Sequence, residues 1–490
     1  MNNRNSETGL NISVKSFITA IIVILVLMVV SYALTFIVPS GEYARMTNEA
    51  GQEIIDAARG FQYVESNFPF WKWLLSPILV LTGNGSGTII AVIIFLLVIG
   101  GAFNALDKSG IMSHLLNRIT ERFGKTRYHL LTVAILFFMG MGALVGTFEE
   151  IVPLVPIVVA LAIRLGWDSV TGMAMSLLAA GCGFASGVMN PFSVGVAQSL
   201  AGVPMFSGIW LRLVSFVLIF LLLLFFVRSY AGTIERPVAA FALPGTTEGD
   251  AAASAGGCEP EGSADADPLP GNDTKDQALK TFVAILGIGI LLILASTFIS
   301  ALQDFTMIIV AVMFLIAGIA APVVAGVKGD RLLKIFISGA TSIFPAVLLI
   351  LMASSIRYTL GEAKIMDTIL YGAVGIADIL PKWTVILFIY LIVLAMNFFI
   401  GSGSAKAFML IPLIVPLAQI FGISAQLCIV AFAFGDGFSN VFYPTNPVLL
   451  ISLGLADISY SKWAKWSAKF QIANLFLTSA LLLFGLAVGY

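Results

Sequence analysis

The chain has 490 residues, 59% of them hydrophobic and 11% charged, with a mean hydropathy of +1.00 and a formal net charge of −1. So apolar a composition excludes a soluble globular protein, and the length excludes a single membrane anchor. The lack of a clustered basic face excludes electrostatic nucleic-acid binding. Three scattered cysteines (Cys182, Cys258, Cys428) and two histidines (His114, His129) leave no metal-ligand spacing.

The predicted fold is therefore an all-α polytopic membrane protein. The run SFITAIIVILVLMVVSYALTFIV (16–38) has the roughly 20 residues that about 30 Å of hydrocarbon requires. It is too long for a signal-peptide core and no small-x-small cleavage site follows, so it is an uncleaved span. Residues 39–73 carry an excess of acids and are assigned outside, followed by a span at 77–103. The loop 104–128, with Lys108, Arg118, Arg122, Lys125 and Arg127, belongs to the cytoplasm by the positive-inside rule. The amino terminus (Arg4, Lys15) and the later clusters Lys328/Arg331/Lys334 and Lys462/Lys465/Lys469 share that side. Trp71, Trp73, Trp167, Trp210, Trp383, Trp463 and Trp466 fall at predicted span ends, where the indole N–H stays wet. Residues 470–490 form the last span.

Residues 231–280 are small, acidic and rich in Pro and Gly, too poor in apolar surface to offset ordering entropy, and are read as a disordered cytoplasmic linker. They separate a first repeat (1–230) from an extra helix at 281–303 and a second repeat (304–490). Shifting the second half by 256 positions (446 minus 190) superimposes two Asn-Pro pairs, and with them Pro156 on Pro412, Leu161 on Leu417, Ala162 on Ala418, Gly166 on Gly422 and Gly181 on Gly437. The loop assignments make the repeats inverted in topology, with the extra helix supplying the odd crossing.

Each repeat holds an apolar, Gly-rich hairpin (about 130–165 and 384–421) and then a broken span (about 170–203 and 424–454). The hairpin glycines, Gly140, Gly142 and Gly146 in one and Gly401 and Gly403 in the other, suit a re-entrant tip, although two full helices joined by a loop would have the same sidedness. The breaks are Gly187 with Asn190-Pro191, and Tyr443, Thr445 and Asn446-Pro447. Proline removes a helical N–H, so each break must be sheltered by protein or water. Free N–H groups at a half-helix start attract anions and free carbonyls attract cations, so the paired breaks suggest a binding site; a packing kink is the alternative.

Glu149 and Glu150, beside Thr147 at the first tip, are costly unless partnered. Partners could be a proton, a cation, a cationic substrate, or Lys406, which occupies the position related to Glu150. Asp436, between the second hairpin and its break, could hold a proton or cation or act as a local cap, and Asn440 adds hydrogen-bonding capacity. Arg164 and Asp168, around Trp167, read as interfacial anchors. Ser402, Ser404 and Lys406 could imitate the serine–lysine pair of an intramembrane hydrolase, a reading that leaves the repeats and the twin breaks unexplained. A passive channel is a further alternative.

FEEIVPLVPIVVALAIRLGWDS, GFASGVMNPFSVGVAQSLAGVP and FAFGDGFSNVFYPTNPVLLISLG resemble the YfcC-like membrane proteins, a group that includes anaerobic dicarboxylate carriers and proteins named as arginine/ornithine antiporters. The resemblance runs from about residue 16 to the end, excluding the linker, and implies an elevator-type secondary transporter of the ion-transporter superfamily. It places substrate between the tips Gly142–Glu150 and Gly401–Lys406 and the breaks Gly187–Pro191 and Tyr443–Pro447. A molecule bearing both a carboxylate and a positive charge would satisfy such a site, so the expected activity is exchange of basic amino acids, arginine for ornithine. The alternative is a four-carbon dicarboxylate moved with Na⁺ or H⁺, Glu149, Glu150 and Asp436 holding the cation. The expected partners are a small-molecule substrate, the bilayer of a bacterial cytoplasmic membrane and a second copy in a homodimer. No cofactor, no enzyme activity and no nucleic-acid partner are expected.

Overall fold

A computed structural model of the chain describes residues 14–47, 53–55, 59–83, 86–146, 148–204, 207–235, 272–296, 306–377 and 380–490. Among them, seven helices are long and apolar enough to cross a membrane, which makes this a multi-pass membrane protein. The helices Ser86–Lys108, Ile111–Phe123, Arg127–Leu144 and Val155–Arg164 are followed by a segment from Ser169 to Leu200 that breaks at residues 187–190. The same series returns about 256 residues later as Phe344–Glu362, Met366–Ala377, Lys382–Asn397, Gly403–Ile420, Ala425–Asn440 and Pro447–Leu455.

The two broken segments lie at the centre. In the segment from Ser169 to Leu200, 94% of the most apolar window is buried, against 28–50% in the other candidate spans. In Ala425–Asn440 every residue but Gln426 is buried. The irregular backbone of a break thus meets protein and not lipid, as hydrocarbon demands. Where these segments cross, Gly181 faces Val441 and Gly437 faces Ala185, so the helices run antiparallel. The shift of 256 carries one contact onto the other, since 181 maps to 437 and 185 to 441. Only a residue without Cβ allows that approach, because a methyl on Gly437 would land on the Ala185 backbone.

Glycine also lets the first hairpin lie on the first broken segment. Gly142 packs on the Ala180 carbonyl and Gly183 on that of Met139. At the base of this hairpin the Arg127 guanidinium donates to the Leu165 carbonyl (3.0 Å), returning the chain to the level at which it entered.

Three features depart from the sequence reading. Residues 39–73, expected as a loop, carry two antiparallel ribbons, Gly41–Tyr43 with Phe61–Tyr63 and Arg45–Thr47 with Glu53–Ile55. The ribbons are held by tertiary contacts: Gly41 N–H donates to the Lys364 carbonyl (2.8 Å), Tyr43 N–H to Asp367 (3.0 Å), and the Phe61 ring stacks on Tyr371 at 4.3 Å. The helix expected at 281–303 begins at Asn272, inside the stretch read as linker, because Ala278, Leu279 and Phe282 are buried and Asp276 lies 2.6 Å from His114 and 3.2 Å from Arg118. The hydrogen bond from His114, reinforced by Arg118, holds the Asp276 carboxyl below the usual carboxylate range. The rest of the linker, 236–271, lies outside the described residues. Trp71, Trp210 and Trp383 are exposed, as boundary residues are, but Trp167 and Trp463 are buried.

Candidate functional site

The Asn-Pro pairs are helix starts. Asn190 accepts from the N–H groups of Phe192 (2.9 Å) and Ser193 (3.2 Å). Asn446 does the same for Val448 (2.9 Å) and Leu449 (3.3 Å). Asn at the cap with Pro in the next position is the arrangement that a helix N-terminus favours, since proline has no N–H to leave unpaired. The N–H groups expected to face an anion are therefore engaged by the chain itself. Asn446→Ala is expected to lower stability by about 0.5–2 kcal/mol, with Asn446→Ser restoring part of it, in an SDS unfolding titration.

The carbonyls freed at the second break are likewise engaged. Trp463 Nε1 donates to Val441 (2.8 Å), the Tyr460 hydroxyl to Phe442 (3.1 Å) and the Gln471 amide to Phe438 (3.1 Å). This explains why Trp463 is wholly buried: its N–H satisfies the break and not the headgroup boundary. At the first break, Met189 N–H donates to Ala143 of the hairpin (3.0 Å), and Gly146, at φ +78°, sits against the Asn190 side chain. Gly187 takes the left-handed conformation (φ +53°) that ends the preceding half-helix. Thr147 lies outside the described residues.

Lys406 and Asp436 are both 0% exposed and paired at 2.6 Å. Lys406 also donates to Asn397, whose amide donates to the Asp436 carbonyl (3.1 Å), Ser439 (2.5 Å) and Asn440 (3.0 Å). Gly403 leaves room for Asp436 Oδ2. Lys406 thus meets neither Glu150 nor Ser404. Glu150 instead accepts from Phe148 N–H (3.2 Å) and borders an apolar crevice with Phe137, Met141 and Leu286. Ser402 caps its own helix at Ala405 N–H (3.4 Å), with the Ser404 hydroxyl 3.4 Å away, so no serine–lysine pair forms. Arg164 donates to Asn117 and Asp168 caps Thr171 (2.9 Å) while accepting from Tyr230 (2.8 Å), a more local role than a boundary anchor.

A cavity of about 570 Å³ opens beside the second break. Of the sequence-predicted residues, Glu149, Gly401, Ser402, Thr445, Asn446 and Pro447 line it. Gly142, Gly146, Glu150, Gly187, Asn190, Pro191, Gly403, Ser404, Lys406, Asp436, Asn440 and Tyr443 do not, although Tyr443 rests edge-on against Phe398, which lines the cavity. The first break is covered by its hairpin, so the cavity belongs mainly to the second. The rest of the lining includes residues that sequence reasoning passed over: Ser354, Arg357, Tyr358 and Gly361 on one stripe of Phe344–Glu362, with Glu42 and Arg45 from the ribbons.

Charge divides this lining in two. Arg45 pairs with Asp367 (3.2 Å), Lys364 with Glu42 (2.9 Å) and Glu362 with Lys72 (3.6 Å). Among the described residues, Glu149 and Arg357 have no hydrogen-bond or ion-pair partner. Arg357 stands alone in the apolar run IFPAVLLILMASSIRYTL, and an isolated cation in a span is by default a functional candidate. That was the signal for it.

The chain is similar to two transporters of known structure at low identity. It covers 96% of its length and 99% of the YdaH transporter of Alcanivorax borkumensis, at 17% identity and TM-score 0.42. It covers 95% of its length and 94% of MtrF of Neisseria gonorrhoeae, at 14% identity and TM-score 0.43. It is 32% identical over 457 residues, 90% of this chain and 85% of the relative, to an Escherichia coli protein named "Putative basic amino acid antiporter YfcC". Its residues 17–487 match DcuC, the C4-dicarboxylate anaerobic carrier family, and the chain belongs to that family of membrane transporters.

Proposed function

We propose that this chain exchanges basic amino acids, arginine for ornithine, across a bacterial cytoplasmic membrane by alternating access. The observation that carries this reading is a small-molecule cavity whose lining leaves one carboxylate, Glu149, and one guanidinium, Arg357, without a protein partner. Opposite charges left free in one cavity complement a ligand that bears both. The name of the Escherichia coli relative points the same way.

The antiparallel crossing of the two broken segments supports inverted repeats, and sheltered breaks beside a cavity are the arrangement by which such repeats hold a substrate. Part of the cavity wall comes from Gly41, Glu42 and Arg45, in the stretch assigned outside, which supports reading this conformation as outward-facing. In alternating access the hairpins and broken segments would slide as a unit against Phe344–Glu362, with Glu149, Glu150 and Asp436 as candidate coupling groups and the amino terminus and linker in the cytoplasm.

A second reading, a Na⁺- or H⁺-coupled four-carbon dicarboxylate carrier, is favoured by the family's description and by the single free cation, which could meet one carboxylate. Counterflow in proteoliposomes separates the two. Arginine-loaded vesicles are expected to take up labelled ornithine, and Glu149→Gln to slow that exchange about 10- to 100-fold at unchanged expression, the scale of a lost charged hydrogen bond. Succinate or malate uptake without arginine exchange would overturn the first reading in favour of the second.

A further inference from the structure

We propose that Arg357 binds the substrate's carboxylate and so decides that only molecules carrying one are transported. The proposal rests on the reading of the cavity as the transport site. Each group expected from the sequence to receive an anion is already engaged: the N–H groups of Val448 and Leu449 by Asn446, those of Phe192 and Ser193 by Asn190, and the Lys406 ammonium by Asp436 and Asn397. The other cations of the lining, Arg45 and Lys364, are held by Asp367 and Glu42. Arg357 is what remains.

Its position suits the role. It lies five residues before the end of Phe344–Glu362, about 7.5 Å along the axis from Glu362. There it faces the cavity on the stripe that includes Ser354 and Gly361, three residues before and four after it. The open space beside Gly361 leaves the stripe unobstructed. A guanidinium presents parallel N–H donors that match the two oxygens of a carboxylate, which a lysine ammonium does not reproduce. Glu149, in the lining of the same cavity, would receive the cationic end of the ligand.

Competition by arginine and by agmatine, which is arginine without its carboxylate, tests the assignment on the full-length protein in proteoliposomes. The wild type is expected to favour arginine over agmatine about 10- to 100-fold. Arg357→Gln should lose arginine affinity by that factor and leave agmatine unchanged, with Arg357→Lys in between. Equal losses for both ligands, or none, overturn the proposal. Because the guanidinium has no protein partner, the unfolding midpoint of Arg357→Gln should match the wild type; a large drop would mean that the residue holds the fold and would also overturn it. If the wild type carries succinate and not arginine, the amino acid reading falls by itself. Arg357 then stands if Arg357→Gln slows succinate uptake by a similar factor, and is overturned if uptake is unchanged.

Discussion

Lys406→Met is expected to destabilise the protein by about 3–5 kcal/mol in an SDS unfolding titration, because it leaves the Asp436 carboxylate buried with no cation. Both side chains are fully buried, and Asp436 Oδ2 already has no hydrogen-bond partner among the described residues. Water therefore has no direct way to replace the lost ammonium. The double variant Lys406→Met/Asp436→Leu removes both charges together and should recover most of the loss, since an apolar pair of similar volume is often as stable as a buried ion pair. A double variant as unstable as the single one would show that the Asn397 network, and not the charge, holds this region.

Gly437→Val should cost about 3 kcal/mol or keep the protein from accumulating in the membrane. The added carbon would fall on Ala185 Cα and N, and backbone cannot yield as the end of a flexible side chain can. The two central helices would have to part, and with them the paired contact of Gly181 and Val441. Gly140→Ala is the control. It lies in the helix Arg127–Leu144 with nothing within 4 Å of the added carbon, so it should be neutral or stabilising by up to about 1 kcal/mol through helix propensity. Equal losses at both positions would show that close approach is not what glycine supplies at 437.

The parts of this molecule that depend on short-range chemistry were legible without coordinates. Apolar runs near 20 residues must be helices in a bilayer, and Asn-Pro in such a run announces a new helix start. The offset of 256 was visible because the hairpins and breaks keep residues that the fold needs at the same places. Residues 272–280 were misread as linker for a related reason. The local composition is polar, and the helix is held by burial of Ala278, Leu279 and Phe282 and by the contact of Asp276 with His114, far away in the chain. The ribbons within residues 39–73 escaped notice likewise, since their anchors lie some 320 positions onward.

Partnership is where sequence reasoning ran out. Glu149, Glu150, Lys406 and Asp436 all stood out as ionisable groups in apolar surroundings, while Arg357 was passed over. Burial cost is a property of one residue and its neighbours in sequence, but its compensation comes from groups brought up by other elements. The sequence alone determined that the chain is a membrane bundle with two matching interruptions. Only the tertiary structure decided that Lys406 is spent on Asp436, that the half-helix starts are closed by their own asparagines, and that Glu149 and Arg357 are left facing one cavity. The strength of a buried charge interaction depends on distance and on exclusion of water, and neither exists until the helices pack.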